Sequence, residues 1–166
     1  MNYWLFKSEP HVFSFADLKA LPTQTEPWTG VRNYLARNYM RDLMRPGDLA
    51  LFYHSSCPDP GIAGLIRIAS DPYPDPTQFH PSSEYFDPKA TPEKPIWILI
   101  DVAFEKDLRH PISLPRLRAT PALADMAILR KGNRLSITPV TPTEFKTILK
   151  LANTAGPPPG AQASRL

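Results

Sequence analysis

The sequence predicts a mixed α/β domain of the α+β kind, with a curved mixed β-sheet or small β-barrel flanked by helices. Three observations predict it. At 166 residues, with 42% hydrophobic and 21% charged residues, the chain has the length and composition of one globular domain around one core. Short apolar runs at 3–7, 48–54, 61–70, 95–106 and 134–138 read as strands, most of them bounded by proline or glycine turns. Their order, with one strand returning near the C-terminus, suits a strongly curved sheet with helices packed at its openings.

Taken in order, residues 3–7 (YWLFK) form a buried first strand that stops at Ser8-Glu9-Pro10. Ser14 caps a short helix reaching Leu21, with Asp17 as its capping-box partner and Pro22 as its stop. Residues 33–44 form a longer helix, with Ala36, Met40, Leu43 and Met44 on one face and Pro46-Gly47 beyond its end. On its other side Arg37, Arg41 and Arg45 recur every fourth residue, a spacing that stacks them in one stripe. A solvated face and a set of phosphate contacts both fit such a stripe.

Residues 48–54 and 61–70 are core strands able to pair as neighbours. Residues 71–95, rich in proline and poor in periodicity, are a long excursion over the surface. An apolar strand follows at 95–106 with Trp97 near its start, then helical turns at 113–117 and 121–126 and a late strand at 134–138. Thr141-Pro142-Thr143-Glu144 supplies an N-cap, a proline at the first helical position and a capping-box acid ahead of Phe145, Ile148, Leu149 and Leu151. From Asn153 onward little remains to bury, so residues 1–152 are the domain and 153–166 a disordered tail.

Composition narrows the function. The longest uninterrupted apolar run, 96–100, is far below the roughly 20 residues of a membrane-spanning helix. The N-terminus lacks a secretion signal and Cys57 is the single cysteine, which together suggest a cytoplasmic protein without disulfides. Four scattered histidines and no H-E-x-x-H or C-x-x-C pattern argue against a metal site. A net charge of +3 and a pI near 9.1 favour a polyanionic partner.

Three segments, 4–10 (WLFKSEP), 28–34 (WTGVRNY) and 51–56 (LFYHSS), bring aromatic and polar residues together at strand ends or a helix start, where rigid scaffolds present binding groups. These motifs, with GIAG at 61–64, DPTQF at 75–79, YFDPK at 85–89, the Trp97 strand and RLSITPV at 134–140, resemble the EVE domain family, related to YTH and PUA-like folds. The resemblance runs in order over about residues 1–152. It implies a barrel-like PUA fold with a pocket for a nucleobase, with a preference for modified bases in DNA or RNA. By motif position it implies that Lys7, Ser8, Trp28, Asn33, Tyr53, Ser55 and Trp97 line that pocket.

The residues suit that chemistry. An extruded base offers a flat π-face and one hydrogen-bonding edge, so its pocket needs an aromatic platform beside fixed donors and acceptors. Trp28 and Trp97 can stack, Asn33 and Ser8 can donate and accept, and Lys7 or Arg32 can approach a phosphate. Trp28 and Trp97 are also ordinary core residues by type, and Asn33 is placed to cap a helix. The expected function is a non-catalytic, cofactor-free nucleic-acid reader. One alternative is an enzyme using Ser8, His54 or Cys57; another is a protein-interaction module using the 71–95 loop.

Overall fold

A computed structural model describes residues 1–156. It contains β1 (Tyr3–Ser8), α1 (Phe15–Ala20), β2 (Thr25–Pro27), α2 (Tyr34–Asn38), β3 (Leu49–His54), β4 (Gly61–Ile68), β5 (Tyr73–Pro74) and β6 (Ile98–Leu99). β7 (Asp101–Ser113), α3 (Leu114–Arg118), β8 (Ile137–Val140) and α4 (Pro142–Leu151) follow. Six strands form one sheet in the order β2-β7-β4-β3-β1-β8, curled into a half-barrel. β1 and β3 run parallel, and every other pair is antiparallel.

Both faces of the central strands are buried, which is why they read as continuous apolar runs rather than alternating ones. Trp4, Phe6, Ala50 and Phe52 enter one core with α1, α2, Ile66 and Ile68. Leu5, Leu51 and Tyr53 enter a second with α3, α4, Ile62 and Ile112. The period of two thus sorts each strand between two cores, where a single core was expected.

Local capping chemistry holds as read. Ser14 and Asp17 form a reciprocal capping box at α1, and Thr141 and Glu144 form one at α4 with Pro142 in the first turn. The 33–44 helix departs from expectation. α2 is regular only to Asn38 and widens into a π-helical turn at Tyr39–Leu43, closed by Met44 N–H to the Tyr39 carbonyl at 2.9 Å. In the wider turn residues four apart stay aligned, so Ala36, Met40 and Met44 are all fully buried. Leu43, expected on that face, is rotated out to 48% exposure. Arg45 lies past the end of the helix, so the three arginines do not form one stripe.

The expected 95–106 strand is two pieces, β6 pairing with β5 and β7 entering the main sheet. β7 continues to Ser113, through charged residues and Pro111 that concealed it. β2, three residues with a proline at the sheet edge, was not foreseen. The late strand lies three residues beyond the expected start, at Ile137–Val140.

The 71–95 excursion is pinned rather than loose. Asp75 and Gln78 are 1% and 0% exposed. The Gln78 amide donates to the Asp75 and Trp97 carbonyls and accepts from the Ile96 and Trp97 N–H groups. Of the tail, Thr154 accepts two hydrogen bonds from Arg116 at 2.8 Å. The expectation of disorder for the remainder falls on 157–166, outside the described residues.

Candidate nucleic-acid interface

The C-terminal ends of β1 and β3 lie side by side because the strands are parallel and in register, with Lys7 opposite Tyr53 and Ser8 opposite His54. The Ser55 N–H continues the ladder to the Ser8 carbonyl. Alternation then separates the expected site residues. Tyr53 packs into the second core, where burial pushes its hydroxyl pKa up against the opposing pull of Arg118. Lys7 follows Leu5 on that side, and burial draws its amine pKa down.

Ser8 lies on the other side with Phe6, its hydroxyl donating to the Phe13 carbonyl. Trp28 packs here. Its ring meets Phe6 at 5.3 Å, Phe52 at 5.8 Å and Phe13 at 6.3 Å, all near perpendicular. Trp28 is half-buried, and its backbone N–H is fixed to the Ile100 carbonyl. His54 extends this wall, its ring 5.6 Å from Phe52 and its Nε2 accepting the Phe15 N–H at 3.1 Å. That bond requires a neutral ring with the proton on Nδ1. Burial lowers the His54 pKa, with Asp17 opposing. The outcome is a cluster of aromatic rings around a half-buried indole, with Ser8 and His54 at its margin.

The remaining residues of the W-x-G-V-R-N segment build its support. Gly30, at φ +85°, donates its N–H to Asp75 at 2.8 Å. Arg32 donates to the Tyr85 and Val31 carbonyls, to Thr77 and to the Asp75 carboxylate, and lies over the rings of Tyr85 and Trp97. Burial opposes ionisation of Asp75, but bonds from Thr77, Gly30 and Arg32 outweigh it and hold its pKa below the ordinary carboxylate value. Asn33 caps α2 by accepting the Ala36 N–H at 3.0 Å and is otherwise exposed.

Trp97 is 5% exposed, stacks on Tyr34 at 4.9 Å and donates Nε1 to Asp87. Arg37 lies over Tyr34 and donates to the Ile96 carbonyl and Asn38. Arg32, Arg37 and Trp97 are thus committed to internal partners and lock the excursion to α2. Arg41, paired with Asp42, and Arg45 are exposed. The structure therefore unites Ser8 and Trp28 and places Lys7 and Tyr53 behind the sheet.

Phe6, Phe13 and Phe52 were not among the expected site residues, and His54 was expected only in the enzymatic alternative. Two of them were detectable: LFKS and LFYHS both place a phenylalanine after a leucine at a strand end, and those phenylalanines pair in register. For an enzyme, His54 would need a nucleophile. Among the described residues no serine or cysteine side chain hydrogen-bonds to it, and no group of three metal-ligating side chains occurs. No helix among them is long and apolar enough to cross a membrane.

The EVE domain family model matches residues 2–151. Thymocyte nuclear protein 1 of Danio rerio is 43% identical over 90% of this chain and 71% of its own length. Human THYN1 protein, solved in complex with 5-methylcytosine-containing DNA, is 40% identical with a TM-score of 0.87, covering 95% of this chain and 100% of that one. A Pseudomonas syringae protein of known structure is 46% identical at a TM-score of 0.84, covering 90% and 99%. The YTH domain of Zygosaccharomyces rouxii MRB1, at 14% identity, a TM-score of 0.54 and coverage of 94% and 87%, shares the fold.

Proposed function

The chain belongs to the EVE domain family, and we propose that it reads a modified base of DNA or RNA, without catalysis, in a recess at the aromatic cluster around Trp28. The observation that carries this is the aromatic cluster: a half-buried indole against three aromatic rings, with Ser8 and His54 beside them. Those groups can meet a base's face and one of its edges. The similarity to human THYN1 protein, held in a complex with 5-methylcytosine-containing DNA, supports the same ligand class.

If Trp28 is the stacking platform, Trp28→Ala costs about 1 to 3 kcal/mol of binding, the range for one base–aromatic contact, and Trp28→Phe retains part of it. Calorimetric titration of matched 5-methylcytosine and cytosine oligonucleotides measures this, with circular dichroism checking the fold. A folded Trp28→Ala protein that binds the methylated strand as tightly as the parent sinks this function.

A further inference from the structure

A cleft of about 530 Å³ lies beside the outer edge of β8, within the roughly 300 to 1,000 Å³ of small-ligand pockets. Leu35 and Tyr39 line it together with Arg130 and Lys131. β8 ends the sheet, and its Pro139 has no N–H to offer a further strand, so the edge stays open to another occupant.

β1 links this cleft to the aromatic cluster around Trp28. Trp4 packs against Tyr39, and Phe6 packs against Trp28. Trp4 and Phe6 lie two residues apart on one face of β1, so these two ring contacts are stepped by about 7 Å along the strand. The loop that carries the basic residues joins the same end of β1, where Lys7 N–H bonds to the Ser136 carbonyl at 2.8 Å.

The charge fits a polyanion. Arg130, Lys131 and the following Arg134 are exposed, and none makes an ion pair among the described residues. Arg130 makes only a long bond, 3.4 Å, to the Asp125 backbone carbonyl. Two acids line the cleft. Asp125 and Glu144, the latter accepting the Thr141 N–H, share the lining with Arg130 and Lys131, and exposed Arg134 adds a third cation in the same loop.

We propose that this cleft holds the nucleotide next to the one whose base enters the Trp28 recess, its phosphates on Arg130, Lys131 and Arg134 and its apolar surface against Leu35 and Tyr39. The inference rests on the base-reading function above and specifies the partner: a continuous strand that occupies two stations, rather than an isolated nucleoside.

The test uses the full chain and short DNA oligonucleotides carrying one 5-methylcytosine or one cytosine, titrated over a range of salt. Replacing Arg130, Lys131 and Arg134 with Gln should weaken both oligonucleotides alike. It should also reduce the log–log salt slope by about 0.7 to 0.9 for each phosphate no longer neutralised. The ratio between methylated and unmethylated strands should persist, whereas Trp28→Ala should compress it. Lys106→Gln with Arg109→Gln, exposed on β7, controls for loss of general charge. An unchanged slope in the triple variant overturns the cleft while leaving the recess intact if Trp28→Ala still weakens binding. An equal loss in the control pair also overturns it. Should Trp28→Ala bind normally, the base-reading function fails, and the cleft as a neighbouring station falls with it.

Discussion

Gly30 is the residue on which the support of the site turns. An added Cβ there would lie 2.6 Å from the Tyr85 ring, and φ of +85° disfavours any side chain. Gly47 has a similar φ of +94° but open space around it. Gly47→Ala should therefore show only the backbone cost, about 1 to 3 kcal/mol, while Gly30→Ala should show that cost and the clash with Tyr85 as well. Chemical denaturation of the two variants side by side measures the difference, and equal losses would mean that Tyr85 yields freely. The same region shows what a sequence hides at this scale. Asn33 was legible as a cap because its acceptor role is local, three residues along the chain. For Arg32 and Trp97 the internal partners, the Tyr85 carbonyl and Asp87, come from a distant loop and left no local sign in the sequence.

Among elements, legibility followed the range of the determining contacts. Both capping boxes were readable, since each closes over three residues. The π-helical turn and the length of β7 were not, because burial of Met40 and Met44 and pairing with β4 decide them. The 71–95 excursion, proline-rich and aperiodic, gave no local sign that it was anchored. Its anchor is Asp75, which satisfies Gly30, Arg32 and Thr77 from a site 1% exposed. Asp75→Ala would leave the Arg32 charge without its carboxylate and the part-buried Gly30 N–H without its acceptor. A broken buried pair costs about 3 to 5 kcal/mol, and the lower end applies because Arg32 is partly open to water. Limited proteolysis should then cut within 71–95 well before the rest of the chain, and a resistant loop would show that Gln78 alone suffices.

For the whole molecule, one curled sheet with a core on each face explains what the apolar runs could and could not predict. The runs report burial on both sides, but not which residues share a side. Lys7 and Ser8 are neighbours in sequence and lie on opposite sides of the sheet. His54 links this arrangement to pH. Its ring is neutral in the folded state, accepting the Phe15 N–H that ties α1 to β3, and burial lowers its pKa below 6.5 while Asp17 opposes. Because the unfolded chain takes up the proton first, the stability from this bond is complete above about 6.5 and is lost as pH falls through the lowered folded value. Asp75, also depressed, acts only further down, below 3.8. Denaturation at a series of pH values should therefore show a first decline beginning near pH 6.5 and a second in the carboxylate range. His54→Gln keeps an acceptor but cannot titrate, so it should flatten the first decline and leave the second. Persistence of the first decline in that variant would assign it to another group and detach α1 from His54 control.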